Sequence, residues 1–224
     1  MMDLAPGKEL ESEVVNAYLC IVGRTTGARI IDAYTMTEVW QGSQKCFRRL
    51  DLLKHDVAAG AVCHQGHWTL IIMYLKEKRC LYLDPFGATQ QQMDHCRDVT
   101  RALVRKHNPA IGKWTCSTVA HPKQQDTTSC GVLVCKLAEL ILKGEAVQYP
   151  VDQEGVTQLR LDMAMSLLND TDDLSQLCRA CGEESSGADT DDWIECTTCT
   201  KWYHSVCVGH PSTEGDYFCK GCIF

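Results

Sequence analysis

The chain has 224 residues and a formal net charge of −7; hydrophobic residues make up 45% of it and charged residues 23%. This composition predicts a soluble globular protein, and the length allows one domain or two. The sequence has no run of eighteen apolar residues, and residues 1–13 carry acidic side chains without an apolar segment, so neither a membrane span nor a secretory signal is expected.

The first 170 residues carry the patterns of a mixed α and β domain. Apolar residues recur at helical spacing in residues 11–22, which predicts an opening helix. Two apolar runs, 68–75 and 80–84, flank a charged turn and predict a β-hairpin. Further predictions are a surface helix at 91–107, a short strand at 117–120, and helices at 131–142 and 156–168. Helices before and after a central sheet predict an α+β fold.

The fifteen cysteines are distributed unevenly, and so is the charge. Seven cysteines lie within the last 47 residues. Residues 171–224 hold 3 Lys+Arg and 10 Asp+Glu, whereas residues 1–170 hold 19 of each. We therefore expect two domains, 1–170 and 171–224, with the boundary in the acidic stretch at 169–173. An odd number of cysteines without a secretory signal favours metal-binding or catalytic thiols over a disulfide scaffold.

Three residues of the first domain stand where predicted elements begin or end. His67 precedes the first hairpin strand and Asp84 ends the second, so antiparallel pairing brings both to one edge of the sheet. Cys130 precedes an apolar helix, whose dipole and free N–H groups favour a thiolate that an imidazole could hold. Taken singly, each has an ordinary alternative: a surface histidine, a turn residue before Pro85, and a buried apolar thiol.

Together these residues resemble a known family. His67-Trp68, Asp84 seventeen residues later, and Gln124 six residues before Cys130 are similar to the SUMO-protease type of ubiquitin-like-modifier proteases. The resemblance covers about residues 4–168 and includes the family's opening helix. It implies a papain-like α+β cysteine peptidase in which Cys130 is the nucleophile, His67 the general base and Asp84 its orienting partner. Gln124 and the Cys130 backbone N–H would then stabilise the oxyanion.

The resemblance also implies a substrate: a ubiquitin-like modifier, SUMO or a relative, cut after its C-terminal Gly-Gly at a peptide or isopeptide bond without a catalytic cofactor. In this family the glycines pass between aromatic rings, and Trp68 corresponds to one wall; packing within the strand core is its alternative role. The Trp-Leu-Asn-Asp segment of the family is replaced by residues 9–12, Glu-Leu-Glu-Ser, which lack the second aromatic wall and a modifier-binding acid. Trp40 and Trp114 are candidates for the missing wall.

The second domain carries eight candidate metal ligands in four pairs, and two residues separate the members of each pair. They are Cys178, Cys181, Cys196, Cys199, His204, Cys207, Cys219 and Cys222. Two cysteines separated by two residues can bind one ion, so eight ligands provide two tetrahedral structural Zn²⁺ sites. The segment has almost no other core, and zinc binding would therefore supply its folding energy. Reduced buried thiols are the alternative.

The ligand order, with Trp202-Tyr203 before His204, resembles a PHD finger over residues 177–223; a RING-variant finger is the second interpretation. The resemblance implies interleaved sites. One ion would be held by Cys178, Cys181, His204 and Cys207, and the other by Cys196, Cys199, Cys219 and Cys222.

PHD fingers often bind histone tails, which makes a histone tail a candidate partner and the nucleus the expected location. Trp193 and Trp202 correspond to the walls of a methyl-lysine cage, where aromatic rings attract a cation. The acidic residues of 189–195 suit a basic peptide. Trp202 could instead only pack the finger. The net negative charge predicts no direct nucleic-acid binding.

These observations leave three hypotheses. The first is an active cysteine isopeptidase that its PHD finger carries to chromatin. The second is a chromatin-reading interaction protein, derived from a mobile element, whose protease domain is degenerate. The residues His67, Asp84, Gln124 and Cys130 favour the first, whereas Glu9 and Ser12 favour the second. The third is zinc-dependent ligation of a modifier by the finger.

Overall fold

The structure is a computed structural model that describes residues 4–43, 52–170, 177–181, 192–211 and 215–223. The chain forms two compact units, Met1–Asp170 and Thr171–Phe224, called here the protease unit and the finger unit. Residues 171–173 of the acidic stretch at 169–173 and residues 189–191 of the acidic run at 189–195 lie outside the described residues. None of the described helices is long and apolar enough to cross a bilayer.

The protease unit is a five-stranded mixed sheet with helices on both faces. Its helices are α1 Ser12–Thr26, α2 Ala33–Trp40, α3 Gln90–His107, α4 Cys130–Lys143 and α5 Gln153–Asp170, with a 3₁₀ turn at Leu52–Lys54. Its strands are β1 Arg29–Ile30, β2 Val57–His64, β3 His67–Tyr74, β4 Arg79–Leu83 and β5 Thr115–Ser117. The strands follow the order β1-β2-β3-β4-β5, with parallel pairing at both edges and antiparallel pairing between β2, β3 and β4.

The two faces of strand β3 explain why its sequence is a continuous apolar run. Its alternate residues face opposite sides: Leu70 and Ile72 belong to the core that α1, α4 and α5 cover, while Ile71 and Met73 belong to the core under α2 and α3. All four are fully buried. A strand covered on both faces needs apolar side chains at every position rather than alternation.

The predicted hairpin is confirmed as β3 and β4, and the four predicted helices are confirmed as α1, α3, α4 and α5, with bounds that differ by a few residues. The strand predicted at 117–120 is wrong in position, because β5 occupies Thr115–Ser117. Its last ladder partner is Leu81, which pairs with Ser117. Beyond that pair the chain leaves the sheet toward His121, whose ring contacts the backbone of Asp84.

The sequence did not predict β1, α2 or β2. Strand β2 is composed mainly of small residues, which have low strand propensity. Gly60 shows why they are small: a Cβ atom there would lie 2.4 Å from Met36 Cγ and 2.5 Å from the Ile31 carbonyl oxygen. The close approach of α2 to β2 therefore requires a glycine. Asp32 is the N-cap of helix α2, and its side chain accepts a hydrogen bond from the Thr35 N–H.

The finger unit has little regular structure. Strands β6, Trp193–Glu195, and β7, Trp202–His204, form an antiparallel pair that is followed by a 3₁₀ turn at Ser205–Val208. Its described buried residues are mostly cysteines and one histidine: Cys178, Ile194, Cys196, His204, Ser205 and Cys219. Such a core buries too little apolar surface to hold this unit together by itself.

Candidate active site and metal clusters

The hairpin brings His67 and Asp84 together. His67 is the first residue of β3, Asp84 directly follows β4, and the two strands pair antiparallel. His67 Nε2 lies 2.8 Å from Asp84 Oδ1. The Asp84 side chain is almost completely buried, and it also accepts hydrogen bonds from the Phe86 backbone N–H, at 2.9 Å, and from Gln92 Nε2, at 3.2 Å. These contacts fix the carboxylate that orients the imidazole ring.

Cys130 completes the group from the other side of His67. It is the first residue of α4, is buried, and its thiol interacts with the His67 side chain closely enough to raise the pKa of that ring. Since Nε2 of His67 is occupied by Asp84, Nδ1 is the ring nitrogen that is left to exchange a proton with the sulfur.

The charges of this group are coupled. The hydrogen bond with Asp84 and then the one with Cys130 raise the pKa of His67 to about 9, against burial, which acts to lower it. Burial acts to raise the pKa of Asp84, but hydrogen bonds from His67 and from the backbone of Phe86 lower it below its usual value. At neutral pH the site therefore contains an imidazolium held by a carboxylate.

Gln124 is buried close to the start of α4, but its amide is already engaged. Its Nε2 donates to the Asp126 backbone oxygen, at 2.9 Å, and to Asp126 Oδ1, at 3.1 Å. Its Oε1 is buried and has no hydrogen-bond partner among the described residues. Asp126 also accepts hydrogen bonds from the backbone and hydroxyl of Ser129, so one carboxylate joins Gln124 to the residue before Cys130.

A buried arginine supports the same segment from α5. Arg160 is 2% exposed, and its guanidinium donates to the backbone oxygens of Lys8, at 2.6 Å, and Thr128, at 3.4 Å. Burial lowers the pKa of Arg160, while the charges of Asp126 and Cys130 act to raise it. Arg160 thus connects the N-terminal segment to the residues that precede the thiol.

Sequence reasoning missed four residues around the Cys130, His67 and Asp84 group. The Phe86 ring stacks on His67 with centroids 5.0 Å apart, and Gln92 contacts Asp84. His121 Nε2 lies 2.9 Å from the Asp84 backbone oxygen, and Asp126 holds Gln124. Only Gln92 had a local signal, because it forms a capping box with Thr89 at the start of α3.

A groove of about 550 Å³ lies beside the start of α1 and the first residues of β3, with Leu10, Cys63 and Trp68 among its lining residues. Trp68 lines it and is itself 4% exposed, with its Nε1 donating to the Leu10 backbone oxygen at 3.0 Å. A Cβ atom at Gly131 would lie 3.0 Å from Leu10 Cβ and 3.2 Å from Trp68 Cδ1. The glycine after Cys130 therefore lets the start of α4 approach the groove wall closely.

Trp68 is the one tryptophan among the described residues that line the groove. Trp40 and Trp114, the candidates for a second aromatic wall, are the wrong residues, because they pack in the core under α2 and α3 and Trp68 packs on the opposite face of the sheet. Tyr34, which is 76% exposed, lines the groove instead, together with the carboxylates of three exposed acids: Glu9, Glu11 and Glu13. No lysine or arginine of the described residues lines it.

The finger unit brings its ligand residues into two clusters. One contains Cys178, Cys181, His204 and Cys207, and the other Cys196, Cys199, Cys219 and Cys222, with all ligand atoms of a cluster within 4.8 Å of one another. In the first cluster His204 Nδ1 lies 3.5 Å from Cys181 Sγ and 3.7 Å from Cys207 Sγ. In the second, Cys199 Sγ and Cys219 Sγ are 3.8 Å apart. These donor sets and distances are compatible with tetrahedral zinc.

Backbone N–H groups add to the metal-binding character of both clusters. The Cys219 N–H donates to Cys196 Sγ, at 3.3 Å, and such hydrogen bonds lower the pKa of Cys196 to about 6. The His204 N–H donates to Cys178 Sγ, at 3.2 Å. A thiolate, rather than a thiol, is the form that binds zinc.

The two tryptophans of the finger unit lie on the β6–β7 pair. Trp193 pairs with His204 and its ring packs on the His204 ring, with centroids 4.1 Å apart. Trp202 pairs with Glu195 and is 40% exposed. Paired residues of an antiparallel ladder point to the same face, so both tryptophans and Glu195 share one face of this pair.

The fold and the Cys130, His67 and Asp84 group define a cysteine protease, and the finger unit adds a cysteine-rich metal-binding module. Residues 27–172 match the Ulp1 protease family, C-terminal catalytic domain, and residues 178–222 match the PHD-finger family. The chain belongs to the Ulp1 protease family. The predicted family, the predicted fold class and the predicted fusion are confirmed.

Solved structures show the same protease fold. One is the X-ray structure of the C-terminal Ulp1 protease domain in complex with Smt3, the yeast ortholog of SUMO (18% identity, TM-score 0.64, covering 75% of this chain and 80% of that chain). Another is the Ulp1-like SUMO protease catalytic domain of Chaetomium thermophilum (16% identity, TM-score 0.60, covering 74% of each chain). A third is ChlaDub1 of Chlamydia trachomatis (14% identity, TM-score 0.53, covering 76% of this chain and 96% of that chain).

Proposed function

We propose that this protein hydrolyses the bond that follows the C-terminal glycine of a ubiquitin-like modifier. The observation that carries the proposal is the position of His67, which is hydrogen-bonded to the buried Asp84 carboxylate and interacts with the Cys130 thiol at the start of α4. The groove beside Trp68 and Gly131 is where an extended tail would lie. One solved relative of the same fold is a protease domain bound to the yeast ortholog of SUMO, which supports a modifier as the partner.

In the first step the Cys130 sulfur attacks the carbonyl carbon of the terminal glycine. A C–S bond forms, and the C–N bond to the leaving lysine or α-amine breaks as His67 donates its proton to that nitrogen. A pKa of about 9 keeps His67 protonated at neutral pH and ready for this donation. Water then hydrolyses the thioester, with His67 accepting a proton from the water and the Cys130 thiolate leaving.

The Cys130 backbone N–H and Gln124 Nε2 would stabilise the oxyanion of both steps. Gln124 would direct one proton of its amide to the oxyanion in place of Asp126, which holds both of them in this structure. The loss of one oxyanion donor typically lowers the rate by ~10²–10³. Asp84 would remain ionised and keep the imidazolium oriented throughout.

The second part of the proposal concerns the finger unit. Each of its two clusters would bind one Zn²⁺, for a structural role, and the face that carries Trp193, Trp202 and Glu195 would bind a histone tail. Two aromatic rings and a carboxylate on one face suit a cationic side chain. This function would place the protein in the nucleus.

Electrophilic probes test the protease activity. The full chain is incubated with SUMO, ubiquitin and other modifiers that end in a thiol-reactive group, and the adduct is located by mass spectrometry. We expect labelling at Cys130 that is lost in Cys130→Ala and kept in Cys135→Ala, which removes another buried thiol of α4. Failure of every probe would support the degenerate chromatin-reading hypothesis, and ligation that survives Cys130→Ala but not a chelator would support the third hypothesis.

Titration calorimetry with histone tail peptides, unmodified and trimethylated at lysine, tests the finger unit. We expect binding that Trp202→Ala weakens and that Phe218→Ala, which removes another exposed aromatic ring of the same unit, leaves unchanged. Equal effects of the two substitutions, or no binding by the wild type, would contradict this part of the proposal.

A further inference from the structure

A group of three cysteines lies in the protease unit apart from the active site; we call it the three-cysteine cluster. Cys80 in β4 is the direct ladder partner of Cys116 in β5, and Cys96 reaches them from α3. The three Sγ atoms all lie within 4.8 Å of one another, and those of Cys80 and Cys96 are 3.8 Å apart. Three separate elements thus direct their thiols to one point.

The three-cysteine cluster is buried and separate from Cys130. Cys80 and Cys96 are fully buried, whereas Cys116 is half-buried and gives access from the surface. The cluster belongs to the core under α2 and α3, while Cys130 belongs to the core on the opposite face of the sheet. The proposed peptidase chemistry therefore makes no use of it.

The Cys80–Cys96 spacing is compatible with a shared metal ion and is too long for a disulfide. At Zn–S bonds of about 2.3 Å and tetrahedral angles, two thiolates on one ion stand about 3.8 Å apart. The Cys80–Cys96 distance has this value, and so does the Cys199–Cys219 distance in the finger unit. A disulfide needs about 2.0 Å between two sulfurs and would leave the third cysteine unpaired.

A second layer of contacts fixes the sulfur positions. The Thr100 hydroxyl oxygen lies 3.4 Å from Cys80 Sγ. Trp114 Nε1 donates to this oxygen at 3.0 Å, and the hydroxyl itself donates to the Cys96 backbone oxygen. The hydroxyl also lies 3.3 Å from the Arg97 backbone oxygen, and Thr100 is completely buried, so these contacts hold it in place. Such outer contacts orient the ligands of metal sites.

We propose that the three-cysteine cluster binds one thiophilic metal ion, Zn²⁺ or Cu⁺, through Cys80, Cys96 and Cys116. An all-sulfur donor set selects soft ions of this kind, and the bound thiols release their protons to solvent. The ion would join β4 to α3. Asp84 directly follows β4, four residues after Cys80, and Gln92 lies in α3, four residues before Cys96. The ion would therefore stiffen the support of the active-site carboxylate.

Metal content of the full chain tests the proposal. Wild type and variants are loaded anaerobically with Zn²⁺ in one arm and Cu⁺ in the other, dialysed, and analysed by mass spectrometry of the elements. We expect Cys96→Ala and Cys116→Ser to hold one equivalent less than wild type, and Cys135→Ala, a buried thiol outside the cluster, to hold the same amount. The arm in which the difference appears identifies the ion.

Equal metal content in all four proteins, in both arms, would overturn the proposal. Circular dichroism reports whether Cys96→Ala folds. If it does not, the proposal is tested by the difference in metal content between Cys116→Ser and the wild type. In the wild type we expect the metal to slow alkylation of Cys116 and a chelator to restore it, while alkylation of the exposed Cys20 stays constant. A Cys80–Cys96 or Cys80–Cys116 disulfide in protein prepared without oxidant would also contradict it.

Discussion

The two units of this chain use cysteine in opposite ways. The protease unit distributes its described thiols over a core of two apolar layers, where three of them meet in the three-cysteine cluster and Cys130 lies beside the His67 imidazole. The finger unit gathers seven thiols and one histidine into two clusters and has few other buried residues. The protease unit is held by the packing of its core and places one buried thiol beside an imidazole, while the finger unit would be held by its metal ligands.

The difference shows that a thiol's role follows from what surrounds it rather than from its sequence spacing alone. Cys130 begins a helix beside an imidazole, whereas Cys135, one turn further along α4, is fully buried and burial raises its pKa. In the finger unit, Cys196 receives a backbone N–H instead of a base. A nucleophile, an apolar filler and a metal ligand are thus the same residue type in three environments.

Removal of metal should affect the stability of the two units most differently. We expect a chelator to unfold the finger unit, because structural zinc contributes about 10–16 kcal/mol to such folds, and to leave the β2–β3–β4 sheet intact. Hydrogen exchange followed by mass spectrometry checks this: protection in residues 192–208 should disappear and protection in 57–83 should persist.

The genetic counterpart of that prediction is His204→Ala, with His210→Asn as the control. His210 is exposed and lies outside both clusters, and asparagine tolerates its positive φ of 52°. Protection of residues 192–208 that survives both the chelator and His204→Ala would mean that packing holds the finger unit after all.

The protease unit should instead depend on buried side-chain contacts. In Arg160→Met the carbonyls of Lys8 and Thr128 lose a charged donor, and we expect the free energy of unfolding to fall by about 2–3 kcal/mol. The matched control is Arg24→Met, which breaks an exposed pair with Asp170 and should cost less than about 1 kcal/mol. Urea unfolding of the two variants measures the difference; equal losses would remove Arg160 from this role.

The sequence allowed the outer frame of the active site to be predicted, since that frame rests on local patterns. A charged turn between two apolar runs predicts a hairpin, and a hairpin brings His67 to Asp84. The finger ligands were predictable for a similar reason, because a two-residue gap between cysteines is itself a metal-binding geometry. What could be predicted was therefore what depends on short spacing or on a recognised motif.

The remaining features depend on contacts between distant segments. Strand β2 is central to the sheet, yet its small residues are explained only by the approach of Met36 to Gly60. The three-cysteine cluster has no sequence period, because β4, α3 and β5 supply one ligand each. The contact of Arg160 with Lys8 joins residues 152 positions apart. No short window of sequence contains any of these three relations.

Within the active site, the Asp84 carboxylate should set the alkaline limit of activity. Its hydrogen bond is the main cause of the raised pKa of His67, about 9, so Asp84→Asn should move that pKa toward the usual 6.5. The imidazolium would then be mostly lost at pH 8, and kcat/KM there should fall by up to about 30-fold. The pH profile measures this shift.

The raised pKa of His67 also determines how the stability of the fold depends on pH. A pKa that is higher in the folded state stabilises the fold fully below pH about 6.5 and loses this contribution as the pH rises through about 9. Asp84→Asn should therefore lose stability at pH 6 more than at pH 10. An alkaline limit that does not move in the variant would show that another group sets it.

The smallest expected effect concerns charge in the groove. Glu9, Glu11 and Glu13 surround Tyr34 and Trp68 without a basic residue among the described lining residues, so a basic tail should bind better than a neutral one. Fluorogenic peptides ending in Arg-Leu-Arg-Gly-Gly and in Gln-Gln-Thr-Gly-Gly provide the comparison. Exposed charge pairs contribute about 0.2–1 kcal/mol, so Glu9→Gln should reduce the preference for the basic tail by roughly 1.4- to 5-fold.

Added salt should reduce the same preference in the wild type, because exposed charges are screened. Glu145→Gln, which removes an exposed carboxylate beyond the end of α4 and outside the groove, is the control and should leave the ratio unchanged. A preference for the neutral tail, or one that Glu9→Gln and Glu145→Gln alter equally, would show that the acids are only a solvated rim and that Trp68 and Tyr34 select the tail by shape.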